Sequence, residues 1–263
     1  MCHFSVMAII TREEDIELLR ESGKILADTM KELVERVREG VSAAELNIFA
    51  EKYIHDHGAV PSFKMYGPKG REYPAALCVS VNDEIVHSLP SEDKIFTQGD
   101  VVGLDCGVNL HGLFTDCAMT VAIGDVSDSL SRLLSVTRRA LESGIEQARI
   151  GNYIADISTA IQSAIPEHEY GIVRDLVGHG VGYSVHEDPR IPNFWPWKNG
   201  TDRGPQIVKG MVLALEPMVT TGDWHIVTGE DGWSVKTQDG SIAAHFEHTV
   251  IVTKDGPEVI TKM

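Results

Sequence analysis

Apolar residues recur three or four positions apart at Ile16, Leu19, Gly23, Leu26, Met30, Leu33 and Val37, the spacing of one helix face. Thr11-Arg-Glu-Glu14 has the form of a capping box at the head of this series, and Gly40 is placed to end it. A second box, Ser42-Ala-Ala-Glu45, opens a helix carrying Leu46, Phe49, Tyr53 and Ile54 that should stop near Gly58. Residues 61–74, rich in Gly, Pro and aromatics, read as a loop. From Ala75 the texture becomes that of strands, at 77–81, 101–108 and 115–123, joined by Asn-Asp, Gly-Asp and Asn-Leu-His-Gly turns. Antiparallel, hairpin-linked pairing follows. Helical period returns over 127–150, with Leu130, Leu133, Leu134, Leu141, Ile145 and Ala148, and again over 155–165. Gly-rich turns and two further strand pairs then complete the chain.

A helix-then-strand order therefore occurs twice, and the strand texts are alike. QGDVVGLDCGV ending in TDCAMTVAIGD parallels VKGMVLALEPMV ending in FEHTVIVTKDG. Each half places one acid mid-strand and another at the start of a later strand, so Asp105 matches Glu216 and Asp116 matches Glu247. VNDEIVHSLP and VGYSVHEDP each carry a histidine upstream, so His87 and His186 correspond as well. The expectation is a duplicated α+β fold: one catalytic domain over 1–263, with a leading segment 1–10, halves near 11–125 and 126–263, and a site on the internal axis.

Composition narrows the classes. The 263 residues are 43% hydrophobic and 24% charged, ordinary for a globular enzyme. No stretch reaches the roughly 18 apolar residues of a membrane-spanning helix. Residues 1–10 lack the basic start and apolar run of a secretory signal. Cys2, Cys78, Cys106 and Cys117 form no CxxC pair, which suits reduced thiols and a cytoplasmic location. A net charge of −16 without a basic block opposes nucleic-acid binding. Part of that acidity is available to hold cations.

Asp105 lies in VVGLDCGV and Glu216 in MVLALEPMV, and neither reads as a surface charge. A lone strand acid is more often a hydrogen-bonded core carboxylate than a functional group; two at equivalent places of a repeat favour function. Asp116, Glu247 and a single imidazole, His179 in the turn-dense VGHGVG, complete a candidate ligand set. The glycines beside His179 allow a tight bend and leave room for its ring. Four carboxylates and one imidazole suit Mn, Fe, Co or Zn, and imply two dications, since one would leave excess negative charge packed together. Such a pair, roughly 3.5 to 4 Å apart, would bridge and deprotonate a water. Cys106 and Cys117 follow ligands and should face away by strand alternation, as should His248. His3, His55, His57, His111, His168, His225 and His245 lack supporting patterns and read as surface or loop residues. GxSxG, Walker, HExxH and Rossmann motifs are absent from the text.

NDEIVHSLP, LDCGVN with Asp116 eleven positions after Asp105, GHGVGYSVHEDP, LALEPM, DGWSVKT and FEHTV together resemble the type I methionine aminopeptidases, a pita-bread family, over nearly the whole chain. The resemblance implies pseudo-two-fold halves with an antiparallel sheet core covered by helices. It implies removal of the initiator methionine from nascent polypeptides, near the ribosome, when the second residue is small; a monomer is the default expectation. In that reading Asp105 chelates one metal, Asp116 and Glu247 bridge both, and His179 and Glu216 complete the second. His186 would contact the scissile amide, His87 would lie near the departing or new amine, and Glu216 would be the general base. The thioether pocket falls on Tyr73, Cys78 and Trp233, with Tyr66 and Phe63 either pocket or ordinary packing residues. Met1-Cys2 would itself be a substrate.

This chain departs from the family text at Ser88, where Gly is usual, at Val185, where a bulkier residue is common, and in 65–72 and 194–206, the latter with Trp195 and Trp197. These bear on substrate preference and loops, not on the metal set. X-Pro aminopeptidases and prolidases share the ligand pattern but carry an added N-terminal domain. A non-catalytic binder on the same fold would have lost ligands that are present here.

Overall fold

The apolar series from Ile16 forms helix α1 (Glu13–Arg36), which buries Leu19, Gly23, Leu26, Met30 and Leu33. The Thr11 capping box is not formed: Arg12 is the N-cap and its side chain makes no cap bond. Glu13, Glu14 and Asp15 in the first turn meet the positive end of the helix dipole instead. The helix ends at Arg36 rather than Gly40, because Val37 is already extended at φ −69°, ψ 106°. Helix α2 (Ala43–Asp56) is capped as expected, Ser42 accepting from the Glu45 amide. The computed structural model describes Met7, residues 9–195 and residues 202–263. The Met1-Cys2 start, His3 and Trp197 lie outside the described residues.

Strands β1 (Val60–Pro61), β2 (Leu77–Val81), β3 (Glu84–Val86), β4 (Val101–Leu110) and β5 (Leu113–Ala122) follow. One antiparallel sheet runs β1–β4–β2, with β5 also on β4. Its inner face packs on α1 and α2 through a core that includes Leu26, Leu33, Leu46, Leu77, Leu104 and Cys106. A second helical pair, α3 (Asp128–Gln147) and α4 (Ile154–Ala164), covers the other half. There Leu133, Ile157 and Ile161 pack on Leu213, Leu215 and Val219.

The second half holds more strands than two pairs. They are β6 (Gly171–Ile172), β7 (Val177–Gly180), β8 (Glu187–Pro192), β9 (Val212–Leu215), β10 (Met218–Thr220), β11 (Ile226–Thr228), β12 (Val235–Thr237), β13 (Ala243–His245), β14 (His248–Thr253) and β15 (Gly256–Val259). A five-stranded sheet runs β15–β14–β9–β7–β8, and a smaller one β13–β10–β6. The chain changes sheet at each acid, between β9 and β10 at Glu216 and between β13 and β14 at Glu247. Pro217, with no amide to donate, fits the first break. Glu216 and Glu247 therefore sit at strand breaks, whereas Asp105 and Asp116 lie inside continuous strands. The expectation of a mid-strand Glu216 and a strand-starting Asp116 is corrected accordingly.

The halves meet where β5 runs beside the β13–β14 break. Ala118 and Glu247 exchange backbone bonds, Glu247 N–H to Ala118 O at 2.9 Å and Ala118 N–H to Glu247 O at 3.4 Å. Thr249 Oγ1 accepts from the Asp116 amide at 2.8 Å and donates to the Asp116 carbonyl at 2.7 Å. Thr120 Oγ1 clamps His245 in the same way, donating to its carbonyl at 2.7 Å and accepting from its amide at 2.9 Å. No described helix is long and apolar enough to cross a membrane.

Candidate metal centre

Register brings the acids together. On β4 and β5, Asp105 pairs with Ala118 and Gly107 with Asp116, so the two aspartates are diagonal neighbours on one face. Cys106 and Cys117 pair on the opposite face and enter the helix-covered core, as alternation predicts. Ala118 also exchanges backbone bonds with Glu247, so its backbone links the two sheets at the site, with Asp105 on one side and Glu247 on the other. On the second sheet His248 pairs with Leu215, which sets Glu247 against Glu216 one step beyond the ladder. Asp116, His179 and Glu247 are all buried, each with a ligand atom within 4.8 Å of the others.

His179 does not lie in a turn. It is within β7, opposite Ala214, and its glycines serve close strand approach: a Cβ on Gly178 would stand 2.5 Å from Ala214 O, and one on Gly180 2.3 Å from Asp188 O. The His179 Nδ1–H donates to the Gly180 carbonyl at 2.9 Å. That bond leaves Nε2 as the lone-pair nitrogen, 3.4 Å from Glu216 Oε1 and suited to a cation.

Burial dominates the electrostatics. It pushes the Asp105 carboxyl up to about 7. Asp116 rises through burial and then through Glu247 and Asp105; Glu216 through burial, Asp116 and Asp105; Glu247 through burial, Glu216 and Asp105. The imidazoles move oppositely, burial lowering His179 to about 4 and His186 to about 2. Asp105 Oδ1 and Glu247 Oε1 are buried without a hydrogen-bond partner. Acceptor-only oxygens left unpaired in an apolar surround fit a site made for cations.

Beside these groups lies a small apolar cluster of Phe63, Tyr73, Ala75, Cys78 and Val185, with Tyr66 and Trp233 packed against it. Cys78 pairs with Asp105 across β2 and β4, which puts the thiol next to the acids. Tyr73 donates to the Ser88 carbonyl at 3.0 Å, and its ring meets Trp233 edge-on at 5.3 Å. Tyr66 OH lies 2.8 Å from His186 Nδ1, and the His186 ring is 4.4 Å from that of His179. His87 stands at the exposed rim with φ 59°, directly after β3, which pairs with the strand following Trp233. All ten residues singled out from the sequence, and the neighbours Phe63 and Tyr66, thus fall on this one region.

One residue was misread. His245 is neither surface nor loop: it is buried, with Nε2 3.7 Å from Glu216 Oε2 and 3.9 Å from Glu247 Oε2. Alternation could not have found it, because β13 ends at His245 and the chain changes sheet before β14 begins at His248. His248 does turn away, to Thr261 Oγ1 at 3.0 Å. His55, His111, His168 and His225 are exposed, as expected.

The sequence profile of metallopeptidase family M24 matches residues 17–254. The chain is 43% identical over 255 residues to a methionine aminopeptidase of Clostridium acetobutylicum, covering 97% of this chain and 99% of that one. It is 39% identical over 257 residues to methionine aminopeptidase 1 of Bacillus subtilis, covering 98% and 100%. The crystal structure of the Thermotoga maritima methionine aminopeptidase superposes with a TM-score of 0.92 at 39% identity, over 98% of this chain and 100% of that one. A prolidase from Pyrococcus furiosus shares the fold at a TM-score of 0.77 and 22% identity, over 97% of this chain and 66% of that one. With its pita-bread architecture and full-length likeness to these enzymes, the chain belongs to metallopeptidase family M24, among the methionine aminopeptidases.

Proposed function

We propose that this protein removes the N-terminal methionine from newly made polypeptides whose second residue is small, and does so with two divalent ions. The observation that carries the reading is the convergence of the buried carboxylates Asp105, Asp116 and Glu247, the partly exposed Glu216 and the His179 Nε2 lone pair beside an apolar, sulfur-containing cluster. Asp105 would hold one ion, Asp116 and Glu247 both, and His179 and Glu216 the other. The bound pair supplies Lewis acidity toward the scissile carbonyl and a water nucleophile at neutral pH. Carboxylate and imidazole donors suit Mn, Fe, Co or Zn.

The protein's own groups do the rest. Phe63, Tyr73, Cys78 and Trp233 take the thioether chain, whose polarizable sulfur suits aromatic and thiol neighbours. Tyr66 OH lies 2.8 Å from His186 Nδ1; as the donor in that contact it would leave the proton on His186 Nε2, which would then donate to the carbonyl oxygen as charge develops there. His87, at the rim, is placed for the departing or newly formed amine. Glu216 takes the proton from the attacking water and returns it to the nitrogen as the C–N bond breaks. Ligands from both halves make 11–125 and 126–263 one catalytic unit, complete within a monomer. Free thiols at Cys78, Cys106 and Cys117 support a cytoplasmic location, where initiator methionines arise.

The test is cleavage of Met-Ala-Ser and Ala-Pro-Ala after chelation and after restoring Mn, Co, Fe or Zn one at a time. Only the first peptide should be cut, and only with metal. Cleavage of the second alone would overturn the assignment.

A further inference from the structure

Among the described residues, His245 is a buried histidine near the acids that neither the ligand set nor the substrate-binding group uses. Its backbone is held at both N–H and C=O by Thr120 Oγ1, so the ring is delivered from a rigid position. Its Nε2 is buried, has no hydrogen-bond partner, and faces Glu216 Oε2 at 3.7 Å and Glu247 Oε2 at 3.9 Å. Both gaps exceed a hydrogen bond of roughly 2.7–3.2 Å. A small turn of either carboxylate closes one of them.

Glu216 thus lies between two imidazoles, with Oε1 toward His179 and Oε2 toward His245. The two rings present opposite faces of imidazole chemistry. His179 Nε2 is a lone pair because its Nδ1–H is donated to Gly180 O. His245 Nε2 faces two oxygens that only accept when ionised, and a lone pair there would repel them. An N–H at that position attracts them. We propose that His245 is a positioning residue of the metal centre: its Nε2–H donates to Glu216 Oε2 and so presents Oε1 as a single-oxygen ligand beside His179. This rests on the two-metal reading above and adds to it a group outside the five ligands. Partners of ligating carboxylates act through the ligand's orientation and basicity, and losing one costs roughly 10- to 100-fold in metal affinity.

The experiment compares wild type, His245→Ala and His245→Gln, whose side-chain amide places an N–H donor where the ring Nε2 stands. Metal-free protein is titrated calorimetrically with Mn(II) and Co(II), and the visible absorption of the Co(II) form is recorded. His245→Ala should lose about tenfold or more in affinity for one ion. His245→Gln should recover most of that loss and keep the wild-type Co(II) bands. If His245→Ala does not fold, His245→Leu, which keeps the ring's bulk without its N–H, replaces it. Wild-type affinity in the Ala or Leu variant overturns the proposal. So does a His245→Gln protein as weak as the Ala variant with shifted Co(II) bands, because His245 would then be a ligand. A wild type that binds neither ion defeats the metal reading itself, whereas binding that is indifferent to position 245 defeats only this inference.

Discussion

The 2.8 Å contact between Tyr66 OH and His186 Nδ1 ties the ring's orientation to a residue of the 61–74 loop, and with the hydroxyl as donor it leaves the ring proton on Nε2, toward a substrate. Removing the hydroxyl in Tyr66→Phe should lower kcat/KM by about 2- to 10-fold, the worth of one ordinary hydrogen bond, without changing metal content. Removing the ring in His186→Ala should lower kcat by roughly 10²- to 10³-fold, as for loss of one oxyanion donor, again with metals retained. Steady-state kinetics beside metal analysis checks both; loss of metal in either variant would move the residue into the ligand set. At this scale the candidate ligands were legible because carboxylates stand at equivalent places in the apolar strand text of both halves, where a buried charge needs a partner or a cation. His245 and Tyr66 were harder. A histidine among alanines and a tyrosine in a Gly-Pro loop look ordinary until the fold shows what stands opposite them.

Elements place these groups through close strand contacts. Thr249 satisfies both the amide and the carbonyl of Asp116, so Thr249→Val leaves two buried backbone groups unpaired in the seam. It should destabilise by about 1–3 kcal/mol, read from urea unfolding, and weaken metal binding in parallel. Gly178→Ala would press a methyl to 2.5 Å from Ala214 O, pushing β7 from β9. A cost of about 1–3 kcal/mol and a displaced His179 should follow, seen as a lower urea midpoint and reduced metal stoichiometry. An unchanged midpoint would mean that the ladder gives way without strain. The helices and the β4–β5 hairpin were readable because their apolar period is long. The strands of the second half were not, since several span only a few residues and change sheet at Glu216 and Glu247. The glycines at 178 and 180 looked like turn residues, yet they serve strand packing, a distinction that depends on neighbours far away in the chain.

For the whole molecule the crowded carboxylates link stability to pH and metal. Asp105, raised to about 7, and Asp116, Glu216 and Glu247, also raised, bind more protons in the metal-free native state than when unfolded. Their share of stability is therefore full at low pH and is lost as pH rises through the raised values. His179, lowered to about 4, and His245, lowered to about 3, act the other way, but only as pH falls below their unfolded value of about 6.5. Above that pH the carboxylates dominate, and the thiols of Cys78, Cys106 and Cys117, also raised by burial, add to the loss in the same direction. Metal-free protein should thus unfold at lower urea concentration near pH 8.5 than near pH 6.5, with Mn(II) removing most of the difference by neutralising the acids. Equal midpoints under chelation would contradict the crowding.

The one-dimensional text is enough to locate the helices, the repeated strand texts and the five candidate ligand positions, because periodicity and misplaced charge are local properties, whereas Tyr73, Cys78 and Trp233 were indicated by the family resemblance. The tertiary arrangement settled the rest. Ala118 joins Asp105 to Glu247, Gly178 lets β7 close on β9 where His179 stands opposite Ala214, and His245 enters the site through a change of sheet. Each depends on which strand lies opposite, and cross-strand register is a long-range outcome that no local pattern contains.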